Sequence, residues 1–201
     1  MKMENEQTPE IKQHAIIHLH KPNANEYLFY FLSGVIISIP FTVFYETYTD
    51  QFCFLLPVLA AQVCSTVLFA PFIEEFAKAY VLFYRHGETQ RTLVTLGLLT
   101  GLGFGVTEFF LYIFVYKAPI LLRVPGLLFH AASTGIIAYG ITVRKPLGYY
   151  LIAVFLHLAN NFFALLGTFW YIGGPVVLLL TYILAYFLYK QSKEIIVNNP
   201  I

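Results

Sequence analysis

Two adjacent glutamates, Glu74 and Glu75, stand in a stretch that otherwise reads as a membrane-crossing helix, and Lys78 follows one turn later. A charge at the centre of a bilayer costs roughly 2.5–3.5 kcal/mol on insertion scales, so ionisable groups persist there where they are paired or used. Later apolar segments carry Glu108, His130, His157 and Asn161. Carboxylates and imidazoles move protons near neutral pH, and an amide beside them is a donor that cannot titrate. The chemistry such a set serves is attack by water on a carbonyl: a carboxylate accepts the proton from water, and fixed donors stabilise the oxyanion that develops. There is no G-x-S-x-G, and Ser133 close to His130 is a faint nucleophile signal. The absence of H-E-x-x-H excludes an ordinary zincin site. Carboxylates and imidazoles could still gather a metal in another arrangement.

The elements that must position these groups follow from composition. Of 201 residues, 58% are hydrophobic and 11% are charged. Soluble domains carry about 25% charged residues. Apolar runs of the length a helix needs to cross a bilayer, about 17–25 residues, recur along the chain. The fold class is an all-α integral membrane protein, and six spans are expected, at about 28–45, 51–84, 92–116, 119–143, 147–166 and 173–189. The second is long for one crossing. A helix kinked at Pro57 or Pro71, or a re-entrant piece followed by a span, would account for it, and one span is the reading taken. Residues 1–27 and 190–201 read as cytoplasmic tails flanking a polytopic domain over 28–189.

Orientation comes from the basic residues. With the N-terminus cytoplasmic, the inner segments hold Lys2, Lys12, Lys21, Arg85, Arg91, Arg144, Lys145, Lys190 and Lys193, and the outer loops hold Lys117 and Arg123. The first outer loop, around Glu46 and Asp50, has no base. Nine against two satisfies the positive-inside bias and puts both termini in the cytoplasm. The net charge of +1 gives no field that would attract nucleic acid. Cys53 and Cys64, both in apolar sequence, read as free buried thiols. The N-terminal histidines His14, His18 and His20 read as a surface segment with no ligand role. No cleavable signal peptide is visible in residues 1–27.

Depth and helical phase then group the polar residues. Glu74 and His157 each lie about ten residues inside their spans, roughly 15 Å deep at about 1.5 Å per residue, with His130 near the middle of its span and Glu108 farther out. Glu74 and Lys78, at i,i+4, share a face and can pair, while Glu75 points about 100° away toward another helix. His157 and Asn161 share the same spacing. Gly97, Gly101 and Gly105 form a stripe of small residues that lets a neighbouring helix approach, so Glu108, just beyond them, faces protein and not lipid.

These residues match a family pattern. The run Ala70-Pro71-Phe72-Ile73-Glu74-Glu75-Phe76-Ala77-Lys78 resembles the E-E-x-x-K motif of PrsW-type intramembrane proteases. Phe104 to Glu108 resembles their F-x-x-x-E, His130 and the residues after it resemble their third motif, and His157 to Asn161 resembles the closing H-x-x-x-N. The family is similar to the CAAX-processing proteases and, more distantly, to the scaffold subunit of γ-secretase. The CAAX branch has E-E-x-x-x-R and F-x-x-x-H, so Lys78 and Glu108 place this chain on the PrsW side. The resemblance implies hydrolysis of a peptide bond in a membrane-anchored protein or peptide, in a prokaryotic cell membrane. It implies Glu74 as the water-activating base, Glu75 and Lys78 in support, Glu108 orienting water, His157 and Asn161 stabilising the tetrahedral intermediate, and His130 as a further partner. It leaves open a divalent metal such as zinc on Glu74, Glu108, His130 and His157. Two other classes compete: a non-catalytic membrane scaffold, and a proton- or ion-coupled transporter, against which the lack of a visible internal repeat argues.

Overall fold

The computed structural model describes residues 20–84 and 88–197, which excludes His14, His18, Lys2, Lys12 and Arg85. Among the described residues six helices are long and apolar enough to cross a membrane: α1 Ala24–Cys53, α2 Val58–Phe83, α3 Gln90–Phe114, α4 Ile120–Thr142, α5 Pro146–Leu165 and α6 Gly167–Gln191. The apolar runs form them because a helix satisfies its backbone polar groups internally, which hydrocarbon demands. Large apolar side chains such as Leu55, Leu121 and Phe155 stay exposed on the outside, as a lipid-facing surface requires.

α1 starts earlier and ends later than the expected 28–45. Asn23 caps its first turn, accepting from the backbone N–H of Asn25 and Glu26, and the Glu26 carboxylate returns the bond to the Asn23 N–H. His20 packs onto this cap, 2.7 Å from Glu26. At the far end the helix runs on through Glu46 and Asp50 to Cys53, so these acids do not form the predicted outer loop. The helix persists because polar and apolar residues take different faces: Phe44, Tyr48 and Phe52 are exposed, while Thr42, Glu46 and Asp50 face a cavity inside the bundle.

α2 runs as one helical stretch of 26 residues, long and apolar enough for a single crossing. Pro57 stands at its N-terminus, and a π-helical stretch, Val63–Phe69, precedes Pro71. In that stretch the Ala70 N–H bonds to the Ser65 carbonyl, and Pro71 has no N–H to offer. The Thr66 carbonyl is thereby left without a helical donor, a common consequence of π-bulges and prolines. The Asn161 Nδ2 donates to it at 2.9 Å, tying α5 to α2. Cys53 and Cys64 are not free thiols. The turn at 54–57 folds α2 back along α1 and brings their Cα atoms to 5.6 Å, joined by a disulfide.

α3 is the central helix, and its glycines set its distances. A side chain at Gly101 would run into the His130 carbonyl of α4, and one at Gly103 into the Phe31 carbonyl of α1. Such contacts exist only where no Cβ intervenes. The predicted stripe therefore packs α4, and the glycine between packs α1. Beyond α6, residues after Gln191 lie against the start of α3, with Val197 N–H bonded to the Glu88 carbonyl and Gln90 N–H to the Ile195 carbonyl.

Candidate active site

The polar residues of α2, α3, α4 and α5 converge in the interior. Glu75, wholly buried, is the hub. Its Oε1 accepts from Lys78 Nζ at 2.7 Å, from His157 Nδ1 at 2.9 Å and from Ser133 Oγ at 3.2 Å. The expected pairing of Lys78 with Glu74 is thus replaced by pairing with Glu75 at i,i+3. The reason is direction: Glu75 points inward to α4 and α5, where three donors meet it, and Lys78 folds the same way over the Phe104 ring, 4.7 Å from its centroid. Buried charges cost several kcal/mol each in lost hydration, and only close pairing with further hydrogen bonds offsets this. Ser133 is buried and committed to this network, which removes it as a nucleophile.

His130 carries the network to α3. Its Nδ1 lies 2.9 Å from Lys78 Nζ. An ammonium only donates, so Nδ1 accepts and the proton sits on Nε2, which bonds to the Glu108 carboxylate. Gly101 makes this possible by letting α4 approach α3 at the His130 carbonyl. Glu108 therefore faces protein, as its place beyond the glycine stripe predicts, and its side chain remains 29% exposed, into the cavity.

Glu74 lies on the cavity wall, where Glu75 does not. Its Oε2 is buried and has no hydrogen-bond partner, as is also true of the second Glu75 oxygen, Oε2. It lies 3.9 Å from His130 Nδ1 and 3.9 Å from His157 Nε2. Because His157 Nδ1 gives its proton to Glu75, the neutral ring presents a bare lone pair at Nε2. A carboxylate oxygen and an imidazole lone pair thus face each other, both electron-rich, with no donor between them. Glu74, His130 and His157 each offer a ligand atom, all within 4.8 Å of one another. Two imidazoles and a carboxylate suit a divalent ion such as zinc, and a carboxylate behind one imidazole is the usual outer partner of such a ligand. These residues fit a metal. His130 is the least free of the three donors, since both its nitrogens already have protein partners. Glu108 contributes through its bond to His130 and lies outside the three-donor group.

Glu74, Glu108, His130 and His157 line a cavity of about 920 Å³ that runs to the ends of the spans opposite the termini, reaching Asp50, Pro119 and Thr168. Asn161 also lines it, but its amide is held by the Thr66 carbonyl and does not stand beside His157 as a second free donor. Sequence reasoning missed Asn160, whose Oδ1 is buried without a partner on the cavity wall. Its place three residues after His157 was the available signal. It also missed Thr42, Glu46 and Asp50, whose four-residue spacing on α1 marks one helical face.

A family model described as PrsW family intramembrane metalloprotease matches residues 23–189. No curated protein and no solved structure matches the chain.

Proposed function

Since the chain belongs to the PrsW family of intramembrane metalloproteases, we propose that it hydrolyses a peptide bond of a membrane-anchored protein or peptide inside the cavity, with Glu74, His130 and His157 holding a divalent metal. The observation that carries this reading is the unpartnered Glu74 Oε2 facing the His157 Nε2 lone pair. A bound divalent ion supplies Lewis acidity toward a carbonyl oxygen and makes water easier to deprotonate. The residues do the rest. Glu75 fixes the His157 tautomer and keeps Nε2 toward Glu74. Glu108 holds the His130 ring through Nε2, and Lys78, which bonds Nδ1 here, would release that nitrogen to take the metal. Glu108, part-exposed to the cavity, orients water and takes its proton as the water oxygen adds to the scissile carbonyl. The same carboxyl returns that proton to the amine as the C–N bond breaks. Asn161 acts as a positioning residue that sets the depth of α5, one turn from His157.

A second reading keeps Glu74 as a metal-free general base, and its bare Oε2 favours that equally on hydrogen bonding alone. A chelator separates the two. Cleavage of a reconstituted membrane-anchored peptide that stops on chelation and returns with zinc supports the metal reading. Unchanged cleavage after chelation, with loss in Glu74→Gln, supports the metal-free one.

Two independent signs support an orientation with both termini in the cytoplasm. The inner-side bias of Lys and Arg puts both termini in the cytoplasm. The Cys53–Cys64 disulfide lies toward the opposite face, and disulfides persist in oxidising compartments. The cavity reaches the span ends on that same side, and on this reading the cleaved segment is an outer-side one. A prokaryotic cell membrane is the location this reading assigns.

A further inference from the structure

The outer half of the cavity carries charge that hydrolysis does not use. Glu46 and Asp50 lie on its wall, one turn and two turns beyond Thr42 on α1. The hydrogen bonds and ion pairs among the described residues include no partner for either carboxylate. Thr42 is 5% exposed, and its Oγ1 is buried with no hydrogen-bond partner. That is unusual within this molecule: Thr47, Thr100, Thr107, Thr134 and Thr181 each donate to the carbonyl four residues back. Thr42 lies on the cavity wall with its hydroxyl unpaired.

We propose that Thr42, Glu46 and Asp50 form a subsite for a lysine or arginine side chain of the substrate, on the side of the scissile bond nearer the outer face. The inference rests on the proteolytic reading of the cavity. Of the residues on the wall, Glu46, Asp50, Glu74 and Glu108 are acidic and Arg123 is basic. Arg123 is already engaged, its guanidinium carbon 3.1 Å from the centre of the Tyr112 ring. The excess is therefore negative, and a low-dielectric wall concentrates it. A small metal ion does not fit the pattern, because among the described residues the carboxylates of Glu46 and Asp50 join no group of three donors within 4.8 Å. A larger organic cation does. Ammonium and guanidinium groups offer several donors to carboxylates, and a hydroxyl can accept one more. Thr42 to Asp50 spans roughly 12 Å of helix, the length of about four residues of extended chain. One basic side chain a few residues from the cut can therefore reach Glu46.

The test uses the full chain in lipid nanodiscs and synthetic single-span peptides that differ at one position. That residue is Lys, Gln or Glu, stepped along the segment just outside the apolar stretch. Cleavage is followed in the wild type. Binding is followed by fluorescence anisotropy in Glu74→Gln, where no turnover is needed. The Lys peptide should be bound and cut about tenfold better than the Gln peptide at one short stretch of positions, the Glu peptide less well than either. Added salt should shrink the difference. Glu46→Gln with Asp50→Asn should bring the Lys-to-Gln ratio close to one. Glu46→Lys with Asp50→Lys should invert it, an outcome that loss of structure cannot produce. Equal binding of Lys, Gln and Glu peptides at every position overturns the subsite. A Lys preference in binding without any wild-type cleavage leaves the subsite standing and removes the proteolytic reading.

Discussion

Glu74 and Glu75 are neighbours in sequence and opposites in surroundings. Glu75 is sealed in the bundle, and its Oε1 takes three donors from α2, α4 and α5. Glu74, one residue earlier, borders the cavity, and its Oε2 takes none. Both residues keep a buried Oε2 without a partner, but Glu75 stands off the cavity wall, out of reach of a reacting molecule, and its removal strands a buried ammonium. A bare carboxylate contributes little to holding the fold and keeps its lone pairs for metal or water. On the proposed function the contrast separates the two halves of one motif: Glu75 would build the site, and Glu74 would work in it.

The largest effect should come from breaking the working half alone. Glu74→Gln should lower cleavage of a membrane-anchored peptide by on the order of 10³-fold. Its thermal unfolding in detergent should stay near that of the wild type. A large drop in unfolding temperature would mean that Glu74 is as structural as its neighbour.

Breaking the building half should do the reverse. Lys78→Met leaves the Glu75 carboxylate buried without its cation and should cost about 3–5 kcal/mol of stability. Glu75→Gln combined with Lys78→Met should recover much of that loss, because no lone charge remains. Failure of the double variant to recover would place the strain elsewhere.

Gly101→Ala sharpens the contrast from a distance. A methyl group at that position meets the His130 carbonyl and forces α3 and α4 apart. The expected cost is about 1–3 kcal/mol, with cleavage reduced because the His130–Glu108 contact opens. An unfolding temperature and activity equal to the wild type would show that the helices can yield there. The smallest effect belongs to Asn161→Ala. It orphans the Thr66 carbonyl and should cost about 1–2 kcal/mol. It should also leave the metal content unchanged, which a ligand's removal would not.

Much of this was legible in the residues. The six spans follow from apolar runs, since a lipid-embedded helix must be apolar over a fixed length. The convergence of Glu74, Glu75, Glu108, His130 and His157 follows from depth and from the cost of burying charge. The glycine stripe likewise places Glu108 toward protein. What stayed hidden depends on direction and not on position. Helical phase puts Lys78 near both glutamates, and only the packing of α4 and α5 decides that it turns to Glu75. Polar residues at 46 and 50 read as a loop because a sequence does not reveal an internal cavity for a helix face to line. The Asn161 contact depends on a π-bulge, which leaves no compositional mark beyond Pro71. The disulfide depends on how tightly the chain turns at 54–57, and apolar flanks conceal it.

The central claim is that Glu74 and His157 together hold the reacting centre. The most direct measurement is metal content and peptide cleavage on the same purified samples of wild type, Glu74→Gln and His157→Ala. The account predicts about one equivalent of zinc or a similar divalent ion in the wild type. It predicts loss of both metal and cleavage in each variant, and chelator-sensitive cleavage in the wild type that added metal restores. Undiminished cleavage by Glu74→Gln would contradict it.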